Sequence, residues 1–276
     1  MANALRIFDK RYAPVNRCIY CGSTRKLSDE HIIPLSLWGR QVLPKASCRD
    51  CAAITSSFEL IVSRQILGAA RAGLRAPSRR KRPASVRFRA NGVDRTMKYE
   101  DVPPVIFLPR LSPPDAVMIS RPAIKNERPD FWLSYLTDSM NRAIDEYGLD
   151  GPIVPDFTEE PFYRMLAKIA HSFMVAELQI KGKYEIDSSN LLLTLPGIIL
   201  GTDKGFRSVV GGFHERVSPT VDLFHRLELG VNKHLIFPTK PFQGVPSVIK
   251  VGASVKIWLF EWLGAPEYLV VAAKAV

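Results

Sequence analysis

Cys18-Ile-Tyr-Cys21, then Ser28-Asp29-Glu30-His31-Ile32-Ile33-Pro34, then Cys48-Arg49-Asp50-Cys51 is the stretch that decides how the N-terminal third folds. All four cysteines of the 276-residue chain lie in it, as two C-x2-C knuckles. A two-residue spacer lets both sulfurs of a knuckle turn toward one ion, and two such knuckles can complete a tetrahedral Zn²⁺ site. The spacing therefore predicts a structural zinc on Cys18, Cys21, Cys48 and Cys51, with Gly22 easing the tight turn after the first pair. Clustered thiols in a reducing compartment are metal ligands more often than disulfides.

Outward from the second knuckle, Ile54, Phe58, Ile61, Val62 and Leu67 recur at helical spacing, predicting a helix over residues 50–70 that stops between Gly68 and Gly73. Residues 77–84, with Ser78-Arg79-Arg80-Lys81-Arg82 between prolines, read as a basic linker. That divides the chain into 1–76, the linker 77–84, and 85–276. In the last part, short alternating runs between proline pairs read as strands. Residues 130–147 read as one helix, and a second helix starts at Thr158 with Glu159 and Glu160 at its positive end. Alternation around residues 224–229, 248–259 and 268–273 predicts an antiparallel sheet. The fold class expected is α+β, a small zinc-bound module followed by a larger α+β domain.

Composition narrows the partners. The formal charge is +11, yet residues 1–100 hold 20 Lys and Arg against 7 Asp and Glu, so the whole basic excess lies there. Such polarity suits a polyanion, because each phosphate neutralised releases counterions. Arg71, Arg75, Arg79, Arg80, Lys81 and Arg82 form one strip suited to DNA phosphates; a nuclear localisation signal is the rival reading. The first 14 residues carry no secretory pattern and residues 191–200 are too short to span a bilayer, so a cytoplasmic protein without membrane contact is expected. A homodimer or protein partner is assigned to residues 85–276, whose charge is near neutral.

Residues 18–59 resemble the HNH endonucleases of the zinc-stapled ββα-metal type. Glu30-His31 followed by Ile32-Ile33-Pro34 matches the end of the first strand, and Cys48-Arg49-Asp50-Cys51 matches the knuckle that leads into the helix. The resemblance implies hydrolysis of DNA phosphodiester bonds, with Glu30 binding a catalytic divalent ion (Mg²⁺ or another) and His31 acting as general base. The residue types suit that chemistry. A carboxylate-held cation neutralises charge building on phosphoryl oxygens, and an imidazole takes a proton from water near neutral pH. Because neighbours on a strand face opposite ways, a bulge or the strand end must bring both to one site. The sequence departs at Ala52, where the family usually has Asn or His as second metal ligand. Ser56, Thr55 or Glu59 could compensate, Glu59 being preferred. The alternative is a zinc-dependent DNA-binding or partner-docking protein on a degenerate HNH scaffold. Asp29 is read as a solvated turn or outer-shell residue, His171 as a core residue, and His214, His225 and His234 as outside the site.

Overall fold

The computed structural model describes residues 10–78, 81–90, 93–117, 130–152, 157–180, 194–213, 226–230, 254–260 and 265–272. Strands β1 (Leu27–His31) and β2 (Val42–Cys48) pair antiparallel, and helix α1 (Arg49–Ile61) follows without a spacer. Cys48 itself is the extended N-cap, and Asp50 in the first turn meets the positive end of the helix dipole. Between the strands, a 3-10 turn at Leu35–Leu37 ends in Trp38, left-handed at φ 62. Gly39 then passes so close to the Ile33 carbonyl that a Cβ would lie 1.9 Å from its oxygen. Only glycine fits there, against Ile32 and Ile33, which are both fully buried.

The helix expected over 50–70 exists in three pieces. After α1 the chain widens into a π-helical turn at Val62–Ile66, closed by Leu67 N–H donating to the Val62 carbonyl at 2.9 Å, and resumes as α2 (Gly68–Gly73). The wide turn leaves a carbonyl to be satisfied at Ser63, and Arg71 donates to it at 3.0 Å. Strands β3 (Ser85–Ala90) and β4 (Val93–Lys98) form a hairpin, and β5 (Val105–Arg110) pairs antiparallel with β6 (Asp130–Tyr135). Residues 130–135 are thus a strand where a helix was expected. Phe131, Leu133 and Tyr135 alternate with Trp132 and Ser134, and only from α3 (Thr137–Tyr147) does the helical period take over. Helix α4 (Glu159–Ile180) begins where its two glutamates predict.

Helices α5 (Thr194–Leu200) and α6 (Phe206–Val209) lead to a sheet of β7 (Val210–Phe213), β8 (Arg226–Gly230), β9 (Ser254–Trp258) and β10 (Glu267–Val271), in the order β7-β10-β9-β8. Its β7, β10 and β9 are antiparallel, but β8 runs parallel to β9, so the sheet is mixed rather than wholly antiparallel. The fold is α+β. Arg79, Arg80, His214, His225 and His234, and the expected strand residues 248–253 and 273, lie outside the described residues.

One buried apolar cluster runs from Tyr12 through Phe58, Leu67 and Ile106 to Phe162, Phe173 and Tyr268. The residues before and after the basic linker share this core. A smaller cluster joins Ala72, Phe88, Met97, Val105 and Met140. The centre of the larger one is α4, whose residues 161–176 are all buried except the half-buried Arg164. Each fully buried large side chain contributes about 1.5–3 kcal/mol, so this helix is a principal anchor of the fold. Among the described residues no helix is long and apolar enough to cross a membrane.

Candidate functional site

The two knuckles meet. The sulfurs of Cys18, Cys21, Cys48 and Cys51 all lie within 4.8 Å of one another, with Cys21 Sγ and Cys48 Sγ 3.6 Å apart. A disulfide needs about 2.05 Å. Four thiolates about 2.3 Å from one tetrahedral centre stand about 3.8 Å from each other, so the cluster fits a metal ion such as zinc. The backbone holds the first knuckle in place. Ile19 N–H donates to the Ala46 carbonyl at 2.8 Å, and Gly22, at φ 76, donates to the Cys18 carbonyl at 2.9 Å. Burial raises the Cys18 and Cys51 thiols, whereas at Cys48 hydrogen bonds from Cys51, Cys21 and Cys18 outweigh burial and lower it.

Helix α4 braces this knuckle from behind. His171 Nε2 lies 2.8 Å from the Ile19 carbonyl, and the Tyr20 hydroxyl is 3.3 Å from Ser172 Oγ. Burial pushes His171 down to about 4, so at neutral pH it is an uncharged ring whose Nε2–H donates to that carbonyl. It is a core residue, as its apolar neighbours imply.

The hairpin is irregular just before Glu30, while Glu30 and His31 themselves pair in regular register with Leu43 and Val42. Ser28 pairs with Ser47, but Glu30 already pairs with Leu43, so Asp29 alone stands opposite three residues of β2, among them Lys45 at φ 50. This bulge separates two adjacent acids. Asp29 turns to the surface, where Arg11 binds it at 2.7 Å and holds it below the usual carboxylate range. Glu30 turns inward and is 6% exposed. His31 ends the strand and lines the same cleft as Glu30 and Glu59.

Glu30 and Glu59 are joined by a residue the sequence reading did not select. Lys168, on α4 and 1% exposed, places Nζ 2.7 Å from Glu30 Oε1 and 2.9 Å from Glu59 Oε1. It also donates to the His31 carbonyl, with the Ile32 carbonyl at 3.4 Å. Burial works against the ammonium, but Glu30 and Glu59 together outweigh it and hold Lys168 above its ordinary pKa. Glu59 is raised by burial, which Lys168 only partly offsets. A signal for this lysine did exist. Between Met165 and Ala176 it is the only charged residue in a helix apolar on every side, and such a charge demands a buried counter-charge.

The two carboxylates expected to hold a catalytic divalent ion therefore converge on an ammonium. An ion bridging the same two oxygens, at about 2.0–2.6 Å from each, would compete for the place of Lys168 Nζ. As placed, the pair does not fit as the ligand set of a shared divalent ion. The other expected compensators add little. The Thr55 hydroxyl donates back to the Ala52 carbonyl at 3.2 Å, and Ser56 stands exposed at the cleft wall beside the Ala52 methyl.

The cleft encloses about 950 Å³, and Arg64, Lys81, Arg82 and Arg87 line it together with the acids. The basic strip divides on inspection. Arg71 lines the cleft, but its guanidinium is engaged by the Ser36 and Ser63 carbonyls, both at 3.0 Å, so its first task is to hold the backbone. Arg82 donates to the Arg75 and Ala76 carbonyls and sits 6.0 Å over the Tyr99 ring. Arg75 is exposed and outside the cleft lining, while Lys81 is exposed within it. The chain matches no protein-family model, no curated protein and no solved structure.

Proposed function

We propose that this cleft binds nucleic acid and hydrolyses a phosphodiester bond, as an HNH-like endonuclease acting on DNA, with zinc on the four cysteines as a structural ion. The observation that carries the reading is that His31 opens onto the same cleft as a buried acid–lysine cluster and a cationic wall. A phosphodiester repels nucleophiles through its own charge. Lys81, Arg64 and Arg87 offset that charge and position the strand; His31 takes the proton from the attacking water, the water oxygen bonds to phosphorus as the ester P–O bond breaks, and the leaving alkoxide takes a proton from solvent. The zinc supplies folding energy and holds the two knuckles together; it takes no part in the chemistry.

A second reading, binding without cleavage, draws on Ala52, which presents a methyl where the resemblance has a ligand. The test is a plasmid-nicking assay on zinc-loaded protein with and without Mg²⁺ or Mn²⁺, run beside a DNA-binding assay. Nicking by the native protein, reduced about 10²–10⁴-fold in His31→Ala with binding kept, supports hydrolysis. Binding by both without nicking selects the second reading, and equal nicking by both removes His31 from the mechanism.

A further inference from the structure

Three observations converge on α4. The Lys168 ammonium lies within 2.9 Å of one oxygen from each of Glu30 and Glu59. The ammonium also donates to the His31 carbonyl, so the site surrounds it with two carboxylates and a backbone acceptor. At the start of α1, Ala52 offers no ligand atom, and the Thr55 hydroxyl one turn on is bonded back to the Ala52 carbonyl. A buried carboxylate beside a half-buried one needs a cation, and here the chain supplies one from a helix 109 residues beyond Glu59 in the sequence.

We propose that Lys168 is the resident cation of this site: its ammonium holds the place between Glu30 and Glu59 that a divalent ion would take, so the chain binds one metal ion, on its cysteines, and none on the carboxylate pair. Glu30 and Glu59 keep the lysine charged well past neutral pH, so this cation does not depend on the supply of free divalent ions. Through the carbonyl it binds, Lys168 also fixes the backbone that carries the imidazole. It is a positioning residue: its hydrogens are spent on protein acceptors. The occupancy claim stands without the phosphodiesterase reading; only the link between Lys168 and the placement of a catalytic His31 rests on it.

The test counts Mn²⁺ bound to the zinc-loaded full-length chain without nucleic acid, by the spin-resonance signal of the free ion. The native protein and Lys168→Arg show no saturable Mn²⁺ site tighter than about 1 mM, the weak end of protein divalent sites. Lys168→Met gains one site per chain, at least about tenfold tighter, and the further change Glu59→Gln removes it again. A saturable site in the native protein that disappears in Glu30→Gln overturns the proposal, as does a folded Lys168→Met chain that binds no Mn²⁺. If Lys168→Met folds poorly, its melting curve becomes the readout: Mn²⁺ raises its midpoint and leaves the native one unchanged, and no rise in the variant counts against the proposal. The nicking assay on His31→Ala is separate, so the two ideas can fail independently.

Discussion

Replacing Lys168 with methionine keeps the length of the side chain and deletes its charge. At 2.7 and 2.9 Å, and an effective dielectric of about 20, each ion pair is attractive by about 6 kcal/mol. Burying three charges costs several kcal/mol apiece, so the triad as a whole adds little net stability. Removing only the cation is different, because a buried and a half-buried carboxylate are left facing each other. The expected loss is about 3–5 kcal/mol, a large part of a stability that for folded domains is about 5–15 kcal/mol. With a urea slope of about 3 kcal/mol per M, the unfolding midpoint falls by about 1–1.7 M. In the variant one carboxyl has its folded pKa raised above the unfolded value, so its stabilising contribution is present in acid and is lost as pH rises through that folded pKa. The deficit against the native protein therefore widens from acid to neutral pH. The triple variant Glu30→Gln, Glu59→Gln, Lys168→Met, with no charge left unpaired, recovers most of the loss. A midpoint shift below about 0.3 M for Lys168→Met, or a triple variant as unstable as the single one, refutes the reasoning.

Four further outcomes are expected. His171 is held at about 4 in the folded chain against an ordinary value near 6.5, so its contribution is complete above about pH 6.5 and is lost as pH falls toward 4. About 2 kcal/mol is gone by pH 5, and thermal melts of His171→Gln, which keeps a donor for the Ile19 carbonyl, show a shallower acid decline. Arg71→Ala strands the Ser36 and Ser63 carbonyls and costs about 1–3 kcal/mol in urea unfolding, whereas Lys81→Ala leaves stability unchanged and lowers the salt dependence of DNA binding by about one phosphate. Cys48→Ala loses the bound zinc by colorimetric metal assay and, because metal-binding energy is folding energy in such sites, exposes residues 15–70 to proteolysis; full zinc retention contradicts the four-sulfur cluster.

The parts of the site legible in the sequence are those fixed by local spacing. Two C-x2-C pairs announce a cluster, whereas adjacent Glu30 and His31 ask only for a bulge or a strand end; the bulge falls one step earlier, between Ser28 and Glu30, and His31 is the last residue of β1. Helix α4 was legible from its glutamates and its apolar repeat. Lys168 was not selected, since its meaning lies in counter-charges 109 and 138 residues away, which no local period encodes. Residues 130–135 were read as helix because a short aromatic run satisfies both periods, and pairing with β5 decides between them. The π-turn at Val62–Ile66 carries a carbonyl, that of Ser63, which Arg71 reaches back to bond, again a contact rather than a composition.

Lys168, His171 and Ser172 occupy neighbouring positions on one helical face, and through them a single rod is keyed both to the acid pocket and to the cysteine knuckle. An α-helix advances about 100° per residue. Inserting or deleting one residue in α4 just ahead of position 168 would therefore throw both engagements out of phase at once, like a shaft whose two cams share one key. A change in its length would disturb both engagements together, where a substitution at Lys168 or at His171 disturbs one.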